Sequence, residues 1–153
     1  MDWYVRAFIR SSVSWLTLGV TLGLVMTIWP RLTVYRTAHV HMLLLGFVAM
    51  MSFGFGYHVV PRLAGNRLYR PAWAGAHVFL ANAGLAGLSL GLALRVHGVP
   101  GAGWVLAMGG VLASVGAYAF AVNIALSTRK KRTDPAAAAV AVKGRRLPTL
   151  AED

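Results

Sequence analysis

Residues 36–61 read RTAHVHMLLLGFVAMMSFGFGYHVVP, and this stretch decides the fold because its only charged residue is the arginine at its first position. As a helix it is long enough to cross the hydrocarbon core of a bilayer, which is ~30 Å thick. His39 and His41 stand near its start and His58 near its end. An imidazole in a bilayer needs a polar partner, water or a metal. The stretch therefore predicts a membrane helix with chemistry at its ends.

The composition places the whole chain in the membrane class. Of its 153 residues 58% are hydrophobic and 12% are charged, whereas a soluble domain has about 25% charged residues. Four apolar segments separated by proline-containing connections predict helices at 12–29, 36–60, 71–94 and 103–127. Short connections make neighbouring helices antiparallel. We expect an all-α fold, an integral membrane four-helix antiparallel bundle over residues 1–128.

Several kinds of chemistry are excluded by residue content. The chain has no cysteine, so it has no disulfide, cysteine-ligated metal site or Cys-x-x-Cys-His haem attachment. It also has no phosphate-binding glycine loop and no nucleophile triad. Its four acidic residues, Asp2, Asp134, Glu152 and Asp153, lie outside the apolar segments. A buried carboxylate that pumps protons is therefore not expected.

The net charge of +11 follows the membrane topology. Basic residues flank one set of ends (Arg6, Arg10, Arg62, Arg67, Arg70 and residues 129–132), and fewer flank the other (Arg31, Arg36 and Arg95). Basic residues stay in the cytoplasm next to short loops, which predicts that both termini are cytoplasmic and that the first segment is a retained span. Residues 129–153 are predicted to be a basic, disordered cytoplasmic tail. The expected location is the cytoplasmic membrane of a bacterium or archaeon, with membrane lipid and not nucleic acid as partner.

Two helix faces could serve a cofactor. On the second helix a single face carries Arg36, His39, Leu43, Gly46, Met50, Phe53, Gly54 and Tyr57. Its glycines would let a flat macrocycle approach the backbone. The third helix has a similar face with His77, Gly84 and Gly91, although small residues equally allow close helix packing.

Depth divides the five histidines into two groups. His39 and His58 are 19 residues apart, about 28 Å along a helix, so they cannot share one iron. His39, His41 and His97 are expected at the outer side, whereas His58 and His77 are expected at the cytoplasmic side. His41 points about 200° away from His39, so the two do not form a simple chelate.

The second helix resembles the second transmembrane helix of subunit I of the haem-copper oxidase superfamily. The resemblance is carried by Thr37-Ala38-His39, followed at close spacing by Gly54-Phe55-Gly56 and Val59-Val60-Pro61. The opening Arg36-Thr37-Ala38-His39 is also similar to the nitric oxide reductase branch. The similarity covers residues 36–94, which are the second and third helices.

The resemblance implies haem b, with His39 as an axial ligand of the iron. It implies neither a complete oxidase nor a reductase, because the family's remaining haem and copper ligands lie in helices that have no counterpart here. The second ligand stays open between His41, His77, His97 and a residue of a partner chain. Further candidate cofactor contacts are His58, Arg36, Gly46 and Met50. A second haem on the cytoplasmic (inner) side, held by His58 and His77, is an alternative.

Three functional hypotheses follow. The first is a small haem-b membrane protein that carries electrons or binds O₂ or NO, with a redox protein or quinol as partner. The second is a non-enzymatic accessory or assembly subunit of a respiratory or denitrification complex. The third is a copper-handling protein that uses His39, His41, Met42, Met50 and Met51, since imidazole and thioether suit copper. Glycines on the third and fourth helices, including Gly84, Gly87, Gly91, Gly109 and Gly110, also suggest a homodimer.

Overall fold

A computed structural model describes residues 1–129, and its regular elements are all helical. The four helices are α1 (Trp3–Ile28), α2 (Pro30–Leu63), α3 (Pro71–Val96) and α4 (Ala102–Ser127). Each is long and apolar enough to cross a membrane. The predicted all-α class and the number of helices are confirmed. The predicted tail, apart from its first residue, lies outside the described residues.

Helix α2 is not a regular α-helix. It begins with a 3-10 segment, Pro30–Tyr35, and continues as an α-helix over Arg36–His41. A π-helical segment, Met42–Ala49, follows, and the α-helix resumes at Met50–Leu63. π-Helices are rare, and no residue preference in this apolar run predicts one.

Two boundaries differ from the sequence prediction. Helix α1 begins at Trp3, well before the predicted Ser12, and so includes Arg6 and Arg10. Both arginines are exposed, and such long side chains can place their charges in the headgroup region. Pro61 was expected in a turn but lies in the last turn of α2. Proline is tolerated there because little of the helix remains to be disrupted.

Helices α1 and α2 run antiparallel and pack large side chains against glycines. A Cβ placed on Gly54 would lie 3.0 Å from Cβ of Phe8. One placed on Gly46 would lie 2.5 Å from Cβ of Trp15. Glycine is needed at Gly46 because any side chain would collide with the tryptophan, so this contact fixes the relative position of the two helices.

Helices α3 and α4 approach until their backbones touch. A Cβ on Gly84 would lie 2.5 Å from the backbone nitrogen of Ala113. The corresponding position on Gly109 is 2.4 Å from the backbone nitrogen of Leu88. Glycines that suggested a dimer surface are therefore used to pack helices of the same chain. Gly110 differs, because a Cβ placed on it would have only the Leu88 side chain nearby, at 3.8 Å, and the homodimer stays a prediction.

Polar side chains connect the helices at defined depths. Trp15 Nε1 on α1 donates to Asn82 Oδ1 on α3 over 3.1 Å. The fully buried Asn123 on α4 accepts from the backbone nitrogen of Arg70 at 3.0 Å and donates to its carbonyl at 2.9 Å. The Ser127 hydroxyl accepts from the backbone nitrogen of Tyr69 at 2.9 Å. The connection between α2 and α3 is thus bound to the end of α4.

The glycine contact between α3 and α4 gives a first prediction. Gly84→Ala is expected to lower the unfolding free energy by about 1–3 kcal/mol, because the new methyl group collides with backbone that cannot move aside. The matched control is Gly103→Ala, since no atom lies within 4 Å of a Cβ at Gly103. Thermal unfolding in mild detergent compares the two variants. Equal melting temperatures would contradict the packing described here.

Candidate functional site

The five histidines lie near opposite ends of the bundle. His39 contacts α1 at Gly19 and Gly23, whereas the ring of His77 lies 4.9 Å from the ring of Phe8 on the same helix. Phe8 and Gly19 are separated by 11 residues, about 17 Å along α1. His39 and His77 therefore cannot ligate one iron.

His39 is held by a backbone hydrogen bond that fixes its tautomer. Its Nδ1 lies 2.8 Å from the carbonyl oxygen of Gly19. A carbonyl can only accept, so Nδ1 carries the proton and donates, and Nε2 of the neutral ring carries a lone pair. Histidines that ligate metals are commonly oriented in this way. The half-buried His39 thus keeps a lone pair on Nε2, which binding of a metal through that atom would need.

The seat of His39 is a pair of glycines that the sequence analysis did not single out. A Cβ on Gly23 would lie 2.8 Å from Cε1 of His39, so any larger residue would push the imidazole away. Gly19 and Gly23 are four residues apart and lie on one face of α1. That spacing is the signal by which this seat could have been found from sequence.

The other histidines of this end have local partners. His41 Nδ1 lies 2.8 Å from the carbonyl oxygen of Thr37, one turn earlier in the same helix. The exposed His97 shares a hydrogen bond of 2.5 Å between its Nε2 and the hydroxyl of Tyr35. His97 therefore connects the end of α3 to the 3-10 segment at the start of α2, and its Nε2 is not free to ligate a metal.

His77 is enclosed by aromatic rings. It is fully buried, with its ring centroid 4.6 Å from that of Phe53 and 6.1 Å from that of Phe120. Its Nδ1 lies 3.1 Å from the hydroxyl of Tyr57. Its Nε2 has no hydrogen-bond partner among residues 1–129 and faces Gly116. The surroundings are those of a core histidine, without room for a macrocycle beside the ring.

His58 lies close to the end of α2 and is held by an arginine. Arg62 donates to His58 Nδ1 at 2.9 Å and also to the carbonyl oxygen of His58. The same guanidinium lies 3.9 Å from the carboxylate of Asp2. His58 and His77 have different partners, and the contacts of neither involve the other.

The remaining predicted contact residues pack within the bundle or face outward. The Trp15 side chain occupies the space beside Gly46. Met50 is almost fully buried in the core, and Arg36 is exposed. The face of α2 that suggested a cofactor slot is therefore largely occupied by side chains of α1 and α3. In the described part of the chain Gly46 leaves no space for a flat ring.

The methionines of the copper hypothesis diverge. Met50 lines a small internal cavity, and Met51 Sδ lies 3.8 Å from the hydroxyl of Ser12. The Cβ of Met42 lies 3.5 Å from a Cβ placed on Gly19, on α1. Residues 1–129 contain no group of three His, Cys, Asp or Glu side chains that could hold a metal ion.

Two spaces in the structure are relevant to binding. A cavity of about 60 Å³ lies between α2, α3 and α4 and is lined only by apolar residues, among them Phe53, which also contacts His77. A larger cleft of about 440 Å³ opens where α1 begins and α2 ends, with Tyr4, Tyr57, Arg62 and Arg67 in its lining. His39 lines neither space.

Comparisons with protein-family models, with curated proteins and with solved structures find no match to this chain. Its function must therefore be argued from the residues and their contacts.

The Tyr57–His77 contact gives a second prediction. Tyr57→Phe removes the partner of Nδ1 and leaves both ring nitrogens of a buried imidazole unsatisfied, at a cost of about 1–3 kcal/mol in unfolding free energy. Tyr118→Phe is the matched control, because the Tyr118 side chain is 71% exposed. Chemical unfolding in detergent measures both variants. A Tyr57→Phe variant as stable as Tyr118→Phe would show that the hydrogen bond contributes nothing.

Proposed function

We propose that this protein is a small membrane b-haem protein in which Nε2 of His39 is an axial ligand of the iron, for electron transfer or for binding O₂ or NO. The observation that carries the proposal is the hydrogen bond from His39 Nδ1 to the Gly19 carbonyl. It supports the proposal because it leaves a lone pair on Nε2 and holds the ring in one orientation. The similarity of residues 36–61 to the oxidase helix supports the same residue.

His39 Nε2 is a suitable donor for a haem iron, but among residues 1–129 no pocket that could enclose the haem is lined by His39. His39 is half-buried, and it lines neither the cleft nor the internal cavity described above. When bound, the haem supplies a redox-active iron. The chain's own contribution is to hold the imidazole on the glycine seat of α1 and to fix the position of its proton.

The second axial ligand is best sought in a second copy of the chain. His77 is excluded by depth, and Nε2 of His97 is engaged by Tyr35. His41 points about 200° away from His39 on the same helix and is held by the Thr37 carbonyl. We therefore retain the homodimer as part of the proposal, on a surface other than the α3 glycines. In a symmetric dimer each His39 faces an equivalent environment, so two copies can contribute equivalent ligands.

The orientation belongs to the same proposal. The start of α1, the connection between α2 and α3 and the end of α4 lie together, because Asp2 contacts Arg62 and Ser127 contacts Tyr69. This end carries most of the basic residues, which supports a cytoplasmic position for both termini. His39 then lies towards the opposite face of a bacterial or archaeal cytoplasmic membrane.

An accessory-subunit role is the second candidate. Helix α4 packs mainly on α3, and its outer side exposes large residues, including Trp104, Val111 and Tyr118. Such a surface could contact another membrane subunit as well as lipid. Under this hypothesis the purified chain lacks haem and copurifies with larger membrane proteins.

The third prediction tests the haem ligand. Purified wild type is expected to show a Soret band and, when reduced, the α and β bands of a haem b. His39→Ala should lose most of the bound haem, and Gly23→Val should lower occupancy by displacing the imidazole. His97→Ala is the matched control at the same end of the bundle and should retain its haem. Circular dichroism establishes that each variant is folded.

Absorbance and pyridine haemochrome assays give the haem-to-protein ratio. Full occupancy and an unchanged spectrum in His39→Ala would rule out His39 as the ligand. A wild-type protein without a Soret band after expression with added haem would rule out the haem function as a whole.

A further inference from the structure

The cleft between the start of α1 and the end of α2 has the character of a headgroup site. Its volume is about 440 Å³, and it is lined by Asp2, Tyr4, Tyr57, Pro61, Arg62, Asn66, Arg67, Leu68 and Pro71. Because α1 begins here and α2 ends here, the cleft lies at the level where the membrane spans end. It therefore adjoins the headgroups of the surrounding lipid.

The charges of the cleft leave one cation without a partner. Asp2 lies 3.9 Å from Arg62, which also donates to His58, so these two opposite charges compensate each other. Arg67 is exposed and makes no ion pair among residues 1–129. A guanidinium presents a planar fork of donors that matches the oxygens of a phosphate. The net preference of the cleft is for an anion.

The floor of the cleft is aromatic and fixed. Tyr4 and Tyr57 are almost fully buried and meet edge to face with ring centroids 5.9 Å apart. The Tyr57 hydroxyl is anchored from behind by His77 Nδ1. The Tyr4 hydroxyl is hydrogen-bonded to the Asp2 carboxylate, so the floor offers ring surface and no free hydroxyl donor. Pro61, Leu68 and Pro71 add apolar surface beside these phenols.

We propose that this cleft binds the phosphate of one anionic phospholipid, with Arg67 as its principal cationic partner. The prolines and Leu68 contact the first methylenes of the acyl chains, beside the rings of Tyr4 and Tyr57. This combination of a basic rim and an apolar floor at the end of the spans favours a lipid over a soluble phosphate. The site is independent of the haem, because it lies at the opposite end from His39.

Arg67 also lines a second cleft. This cleft has a volume of about 500 Å³, shares Asn66 and Arg67 with the first and adds Arg129 from the end of α4. Asn66 is held in place because its amide donates to the carbonyl oxygens of Ser127 and Arg129 at 2.9 and 3.2 Å. Asn66 and Arg67 thus lie between the two clefts. From there the Arg67 side chain can contact a phosphate bound in the first cleft.

The fourth prediction tests the lipid site by native mass spectrometry of the full chain released from detergent micelles. With added phosphatidylglycerol, wild type should retain one lipid per chain, and phosphatidylcholine should bind at least about tenfold more weakly because it lacks net charge. Arg67→Gln should weaken phosphatidylglycerol binding about tenfold. Arg95→Gln is the matched control, because Arg95 lines a cleft of about 300 Å³ at the opposite end. It should change binding less than about twofold.

Two further arms complete the test. Arg67→Lys keeps the charge but loses the planar fork, so it should fall between wild type and Arg67→Gln, and it replaces that variant if glutamine prevents folding. Inorganic phosphate at equal concentration should not displace the lipid. Displacement would assign the site to soluble phosphate and overturn the proposal. Equal lipid retention by the Arg67 variants and Arg95→Gln, or equal binding of both lipids, would also overturn it.

Discussion

The contact on which the rest of the structure depends is a glycine backbone pressed against a neighbouring helix. In lipid, apolar side chains gain little by leaving their surroundings, so helices associate through close packing and polar contacts. Gly46 accepts Trp15, and Gly84 meets the backbone of Ala113. Close contact with a glycine also positions two histidines: His39 packs against Gly23, and His77 packs against Gly116. The packing of the bundle and the geometry of its imidazoles therefore have one physical origin.

The second constraint is that each polar group needs a hydrogen-bond partner within the protein, because the bilayer core offers no water. Exposed hydroxyls on the helices, such as those of Thr17 and Ser52, donate a hydrogen bond to the carbonyl one turn earlier. The exception that matters is His77. If Tyr57 donates to Nδ1, then Nε2–H is an unsatisfied donor, and if Nδ1 donates, Nε2 is an unsatisfied acceptor. Either tautomer costs about 1–3 kcal/mol, which aromatic enclosure and close packing must offset.

Sequence reasoning succeeded where one helix can be considered alone. Hydropathy and the prolines gave four helices, and counting residues between His39 and His58 separated the histidines by depth. It failed where the answer depends on which helices are neighbours. Nothing in the run Met42–Ala49 predicts a π-helix. The glycines of α3 fit packing within a chain as well as packing between chains, and only the contact of Gly84 with Ala113 distinguishes the two.

The same limit applies to the candidate sites. The proposal of His39 as a ligand came from a local pattern, but the Gly19 carbonyl to which its Nδ1 is bonded lies 20 residues away in the chain. The cleft between the start of α1 and the end of α2 could not be predicted from the sequence, because its lining comes from α1, α2, α3 and the connection between α2 and α3. In the sequence, Arg67 is an ordinary basic loop residue and Tyr4 is an ordinary tyrosine near the start of a span. Only the fold shows that they line the same cleft.

The division of the histidines also limits the number of haems that the proposal allows. An inner haem would need His58 and His77, but Arg62 holds His58 through Nδ1 and its carbonyl, and four aromatic rings surround His77. Freeing His77 would require moving Phe53, which also packs against Phe8 and Phe120 in the core. The proposal therefore places one haem at the His39 end and none between His58 and His77.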